Sequence, residues 1–531
     1  MTALRPCRAS VAPARAAILR ALLALACIAP GTAGAATYYV RPDGGSAAQC
    51  TGRSDAAYPG SGTARRCAWS HPFIALPPTA PERPTAPRIA GGDTLVIAHG
   101  NYMMGFGAAG APEMASCYAS FTADCHMQPV PPGPDAAHRT RILGEGWDTG
   151  CRKPPELWGT RATHRILDLT GSSHAEVACL ELTDHSSCIV NHCIAGNCTG
   201  GPAQIDRCGN GGDGEYAQNG LWSTDAADVR LHDLDIHGIG GEGVHAGRMT
   251  DWRVQRVRIW ANGFAGWDAD VSNGGVEPTS NSGTLYFSEL EIGWSGCGER
   301  YPGKAIFGCW GQGEGGYGDG FSTGRSGGRW LFEDSHAHHN TQDGFDLLYL
   351  DHAASVEFRR VRAEDNAGNQ IKVSGDATIA DSDIAGHCAY FRGVGNMQEG
   401  DHCRADGAAI AVALVDGKRS VVTNTRVTGE GGCLVVGSGG GKDAVLVLRD
   451  DTLTGQPRWN DKSQLACGYY LYESQGKVEA SGNRISNVKT SSTMNEFCAR
   501  QAKGSILDGA CERIRNMYHA LRDGNAGSLQ R

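Results

Sequence analysis

The sequence predicts an all-β fold, a parallel β-helix in which the chain winds into stacked coils. Two observations carry that expectation. An alternating apolar and polar segment recurs six times between residues 229 and 384, and a second apolar position follows it at a fixed distance. Composition agrees. Glycine supplies 75 of 531 residues, about twice the usual share, yet shows no G-X-Y period, which excludes collagen. An apolar content of 40% is enough for a core and excludes wholesale disorder.

Residues 1–35 read as an export signal. Arg5, Arg8, Arg15 and Arg20 precede the apolar run 21–29, and Ala33-Gly34-Ala35 forms a small-residue cleavage site. That run is too short to span a bilayer, and no other stretch reaches the roughly 18 residues a spanning helix needs. Without the segment, which carries four Arg and no acids, net charge moves from 48 − 57 = −9 to 44 − 57 = −13. Such a chain suits neither nucleic acid nor an anionic membrane. An acidic glycan would bind only locally, through a metal ion or a cationic groove. Cys7 and Cys27 leave with the signal, and the remaining 18 cysteines suit disulfides in an oxidising compartment. Cys188, Cys193 and Cys198 are evenly spaced, but no Cys/His pair follows at zinc-finger spacing, so disulfides of unreadable connectivity are expected there. The protein is expected to be a secreted or periplasmic monomer. Its single domain, 36–531, divides into N-terminal coils and disulfide-rich loops (36–228), regular coils (229–384), and C-terminal coils with a capping helix (385–531).

Residues 37–44 and 92–98 read as early strands, and 101–160 as an irregular, disulfide-pinned excursion. The six repeats follow at 229–236, 252–259, 285–292, 330–337, 356–363 and 377–384, their starts 23, 33, 45, 26 and 21 residues apart. Period two means a strand with one face buried. Val244, Trp267, Phe345 and Ile371 each lie 15 residues after the start of a repeat; Phe321 lies 36 after, so that coil carries a 21-residue insertion. Fixed offsets of this kind fit one coil per repeat, each burying its apolar face on its neighbours. Val244, Trp267, Phe321, Phe345 and Ile371 are then an inward column. Asn262, Asn340 and Asn366 share a corner and form an internal amide ladder. Gly243, Gly266, Gly320 and Gly344 allow a tight bend before the second strand. Residues 421–436 and 444–453 read as later coils, and 510–521 as a helix capping the open end.

The same register gives outward columns. One residue after the inward position stand His245, Asp268, Ser322, Asp346 and Lys372; two before it stand Glu242, Asp319 and Asp343. Neighbouring coils lie about 4.8 Å apart, so Asp346 and Lys372 are expected to touch across 26 residues of sequence. A single Asp-Gly usually does no more than make a turn. Three acids in register with an amine call instead for a hard divalent cation, since Ca²⁺ takes carboxylate and water oxygens.

Gly318-Asp319-Gly320-Phe321, Asn340-Thr341-Gln342-Asp343-Gly344-Phe345-Asp346-Leu347 and Gly368-Asn369-Gln370-Ile371-Lys372-Val373 resemble motifs of the family-nine polysaccharide lyases, calcium-dependent pectate lyases of right-handed parallel β-helix fold. The specific match spans about 60 residues. The resemblance implies that Asp319, Asp343 and Asp346 bind Ca²⁺, and that Lys372 is the Brønsted base of a β-elimination on a uronate chain. It also implies right-handed coils, the hand that parallel crossovers favour. Where the family usually has a further Asp, this chain has Gln342, an uncharged oxygen ligand, with Asp268, Asp270 and Glu299 as the nearest acids on the repeat map. A nearby cation and desolvation would lower the Lys372 pKa, and Asp346 would raise it; the bound metal is expected to win.

The insertion carries Trp294, Arg300, Tyr301, Lys304 and Trp310. Arg300, Lys304 and Trp310 are candidates for binding an acidic polysaccharide beside the acid columns; alternatively, Cys297 and Cys309 simply staple a loop. His336, His338 and His339 look like a metal cluster, but the register turns His336 toward another face. Two other functions suit the same fold. One is a polygalacturonase-type hydrolase, whose Asn-Thr-Asp-Gly segment 340–346 resembles, with Glu364-Asp365 and Gly386-His387 one coil apart. The other is a non-catalytic glycan-binding adhesin.

Overall fold

The computed structural model describes residues 34–78, 85–108, 117, 124–159, 163–185, 216–270, 281–307, 309, 318–351, 353–387, 408–430, 433–457, 465–472 and 474–488. Met1–Ala35 and Ala36–Arg531 are separate units, and the coils belong to the second. The cysteines at 188, 193 and 198 and the expected helix at 510–521 lie outside the described residues.

Nearly every described element is a strand; the one helix among them is the single turn Pro72–Ala75. The fold is a parallel β-helix. Each coil contributes a short strand to a ten-stranded sheet and then passes into a sheet of 21 strands. In the first sheet Glu242–Gly247, Trp267–Asp268, Phe321–Ser322, Phe345–Leu347 and Ile371–Ser374 follow one another in parallel, so Val244, Trp267, Phe321, Phe345 and Ile371 are register partners. All five are fully buried. Trp267, Phe321, Phe332, Phe345 and Phe358 stack along the axis at centroid separations of 5.0–5.7 Å, the range in which aromatic pairs add to simple burial.

The eight-residue segments are not single alternating strands. In 229–236 the buried residues are Val229, Leu231, Leu234 and Ile236, so the alternation slips by one at Asp233, whose φ is 55°. Arg256, Glu289, Arg360 and Asp381 hold the same place, with φ of 50–55°. In the later coils the strand breaks outright: Arg329–Glu333 and His336–His338 stand either side of Asp334. A left-handed residue at this place in each coil therefore folds the large sheet into two walls. Asn and Asp tolerate that conformation, but other L-residues do so at a cost of about 1–2 kcal/mol.

Two further expectations are corrected. Residues 101–160 are not an irregular excursion, for Asn101–Met104, Thr140–Gly144 and Glu156–Gly159 are ladder strands of early coils. Their shortness hid them. The chain does bend at Gly320 and Gly344, but neither has a positive φ, so the bend itself does not require glycine. A Cβ on Gly344 would lie 2.6 Å from the Gln370 carbonyl oxygen and 2.7 Å from Asn366 Nδ2, so glycine is there to let the next coil approach. The amide ladder forms in part. Asn340 Nδ2 donates to Asn366 Oδ1 at 2.7 Å and Asn366 Nδ2 to Gln370 Oε1 at 2.7 Å. Ser295 separates Asn262 from them, its backbone N–H donating to Asn340 Oδ1.

Cys50–Cys67, Cys117–Cys125, Cys151–Cys179, Cys297–Cys309 and Cys433–Cys467 are disulfide-bonded. Among the described residues no helix is long and apolar enough to cross a membrane, which says nothing of spanning by strands.

Candidate active site

The outward column follows the inward one. His245, Asp268, Ser322, Asp346 and Lys372 are successive register partners. Lys372 Nζ lies 2.6 Å from Asp346 Oδ2 and 3.1 Å from Asp343 Oδ2. Asp319 completes the group, and one carboxylate oxygen from each of Asp319, Asp343 and Asp346 lies within 4.8 Å of the others. All three acids are buried, whereas the Lys372 side chain keeps 19% of its surface exposed. The lysine is thus the rim of the cluster and the acids its floor.

Backbone donors hold the floor in place. The N–H of Asp343 donates to Asp319 Oδ1 at 2.9 Å, and that of Leu348 to Asp346 Oδ1 at 3.0 Å. Asn369 grips Asp343 Oδ1 twice, from its backbone N–H at 2.6 Å and its side-chain amide at 2.9 Å. Gly368 makes room for this, because a Cβ there would fall 2.2 Å from Asp343 Oδ1. Sequence reasoning gave neither Asn369 nor Gly368 a role, although both stand in the third motif. Gln342 is fully buried beside the acids; its backbone N–H donates to the Gly318 carbonyl, and its carbonyl accepts from the Gly368 N–H.

Electrostatics follow from this crowding. Burial, then the nearby Asp343 and Asp346 charges, push Asp319 well above the usual carboxylate range. Burial raises Asp346 to about 6 against the pull of Lys372. Burial alone would lower Lys372, but Asp343, Asp346 and Asp319 outweigh it and hold the ammonium above its ordinary pKa. Formally ionised, three carboxylates and one ammonium sum to −3 + 1 = −2.

The insertion leaves the coils as the hairpin Gly298–Arg300 and Ala305–Phe307, closed by Cys297–Cys309, and turns toward the N-terminal coils. Tyr301 stacks on His185 at 3.8 Å, and His185 on Trp158 at 4.2 Å. Lys304 is not brought to the acid cluster. Its Nζ pairs with Glu181 at 2.8 Å, four coils before His336 along the register Glu181, Asp235, Arg258, Glu291, His336, roughly 19 Å at strand spacing. Glu299 likewise turns away, 2.7 Å from His237 Nδ1, while His237 Nε2 lies 2.9 Å from Glu181. Arg300 ends the first hairpin strand, and Trp310 lies outside the described residues.

The histidines lie on the large sheet, as the register indicates. His336 Nε2 is 3.2 Å from Glu364, and His387 Nδ1 is 3.0 Å from Asp365. Glu364 and Asp365, the acids of the hydrolase alternative, are therefore engaged with imidazoles on that wall, whereas Asp343 and Asp346 face Lys372.

No protein family and no curated protein matches the chain. Several solved structures do. An alginate lyase from Paenibacillus sp. str. FPU-7 is 16% identical, covering 75% of this chain and 93% of its own, with a TM-score of 0.36. The pectate lyase Pel9A is 13% identical over 89% of this chain and 86% of its own, at 0.38. The surface adhesin PfbA of Streptococcus pneumoniae is 8% identical over 74% and 89%, at 0.36.

Proposed function

We propose that this chain is an exported polysaccharide lyase that cleaves a uronic-acid-containing glycan by Ca²⁺-assisted β-elimination, with Lys372 as the base. The observation that carries the reading is the placement of the Lys372 amine 2.6 and 3.1 Å from two members of a buried three-carboxylate cluster. Disulfides support export to an oxidising compartment.

The residues fit a calcium ion. The donors are all oxygens, the type Ca²⁺ takes, and one divalent cation cancels the formal charge of −2. Asp319, Asp343 and Asp346 would hold it, with the Gln342 amide oxygen as an uncharged fourth ligand. Bound there, the cation would neutralise these acids together with the substrate carboxylate, so that charge developing on the adjacent carbon is stabilised and less charge holds Lys372 protonated.

Lys372 does the proton chemistry. Its neutral Nζ takes the C5 proton, α to the substrate carboxylate. The C–H electrons become the C4–C5 double bond, and the C4–O bond breaks with the leaving chain. Asn369 and Gly368 fix Asp343 and thereby fix the amine. Of the insertion residues, Arg300 and Trp310 remain the proposed substrate contacts, Lys304 being engaged by Glu181.

The test is a panel of polyuronates incubated at alkaline pH with Ca²⁺ or with chelator, following ultraviolet absorbance of unsaturated product. Absorbance that requires Ca²⁺ and vanishes in Lys372→Ala is expected. New reducing ends without absorbance would show a hydrolase instead. Glycan binding without turnover, unchanged in Lys372→Ala, would leave the adhesin reading.

A further inference from the structure

Two coils before the lyase cluster, the same outward face carries a second group of ligand atoms with different chemistry. Glu242, His245 and Asp268 each present one ligand atom, all within 4.8 Å of one another. Glu242 and His245 come from the strand Glu242–Gly247, and Asp268 from its parallel neighbour Trp267–Asp268, where it is the register partner of His245. The backbone thus sets the cluster with no loop involved.

His245 supplies the independent sign of a ligand. The residue is 3% exposed. Its Nε2 is buried with no hydrogen-bond partner, and its Nδ1 stands 3.8 Å from Asp268 Oδ2, beyond hydrogen-bonding distance. A buried polar atom left without a partner costs roughly 1–3 kcal/mol, so an imidazole in this state is short of a partner. The ring is held firmly all the same. Trp222, its register partner on the preceding coil, stacks on it at 4.2 Å and 7°, and Arg165 lies over the Trp222 ring at 4.9 Å.

We infer that Glu242, His245 and Asp268 form a second divalent-cation site, selective for a borderline metal ion such as Zn²⁺ rather than for Ca²⁺. One nitrogen and two carboxylate oxygens suit zinc, which accepts both donor types, whereas calcium prefers oxygen throughout. Three protein ligands leave coordination positions for water or for a ligand's own oxygens. Asp268, Ser322 and Asp346 succeed one another in the column, so the two clusters are about 10 Å apart at strand spacing. Two cations of different kinds would then face one groove, and an acidic chain lying along it would meet both. The site stands on its own ligands and does not require the lyase reading.

Zinc binding by the chelator-stripped full chain, measured by calorimetry in saturating Ca²⁺, is the experiment. One Zn²⁺ per chain is expected for the wild type, with binding lost in His245→Gln and in Asp268→Asn but kept in Asp343→Asn. Thermal melts of the same proteins establish that each variant is folded; if His245→Gln is not, the more exposed Asp268→Asn decides. Unchanged zinc affinity in a folded variant of either ligand would overturn the proposal, as would a wild type that binds no zinc. The readout is binding, so a protein that binds zinc yet turns over no polyuronate would sink the lyase reading alone.

Discussion

Removing divalent cations while raising the pH should destabilise this protein, and the acid cluster sets the size of the effect. Asp346 is held at about 6 in the folded chain against 3.8 for the free side chain. Each pKa unit corresponds to about 1.4 kcal/mol, so its ionisation alone is worth about 3 kcal/mol. A folded pKa raised above the unfolded one means stability that is fully present below pH 3.8 and lost as pH rises through about 6. Asp319 is shifted in the same direction and adds to the loss. In chelator, stability from urea denaturation should therefore fall between pH 4 and 7. Asp346→Asn should flatten that fall. Calcium should restore the loss above pH 6, where the ligands are ionised, by about 2.7 kcal/mol at a hundred times its dissociation constant, and should do little near pH 4. If calcium stabilised the protein equally at both pH values, or if Asp346→Asn kept the full pH slope, the coupled-acid account of the cluster would be wrong.

Three more outcomes follow from the coordinates. Gly368→Ala puts a methyl group 2.2 Å from Asp343 Oδ1, so the folded variant should lose calcium-induced stabilisation in a thermal melt along with turnover. His237 is raised to about 9, the pull of Glu181 and Glu299 overcoming burial. The stability it lends the hairpin is present below pH 6.5 and lost through about pH 9, so proteolysis at the Tyr301–Lys304 tip should accelerate across that window, and His237→Gln should abolish the dependence. Glu289 is exposed and sits at φ 52°. Glu289→Asn should raise stability in urea denaturation by up to about 1 kcal/mol, whereas a neutral result would mean that the bend is free of strain.

What could be read from the sequence was whatever repeated at a constant offset. The 15-residue step from repeat to inward residue aligned Trp267, Phe345 and Ile371, and the same count brought Asp346 beside Lys372 without coordinates. The bend inside each repeat escaped because its left-handed residue is Arg256, Glu289 or Arg360 as often as Asp, and neither Arg nor Glu announces positive φ. Lys304 escaped for another reason. Its partner Glu181 is 123 residues earlier, in a coil that precedes the six repeats, and no period links the two.

The position of the cluster has a cause in the strands beneath it. Elsewhere the ten-stranded sheet is built of strands four to six residues long, as in Ile371–Ser374, Asn219–Thr224 and Cys433–Ser438. Under the acids it narrows to Trp267–Asp268, Phe321–Ser322 and Phe345–Leu347. A strand of two or three residues leaves the position two before its inward residue outside the ladder, in the turn, and Asp319 and Asp343 occupy it. Their carboxylates reach around the corner to meet the one that Asp346 projects from the strand itself.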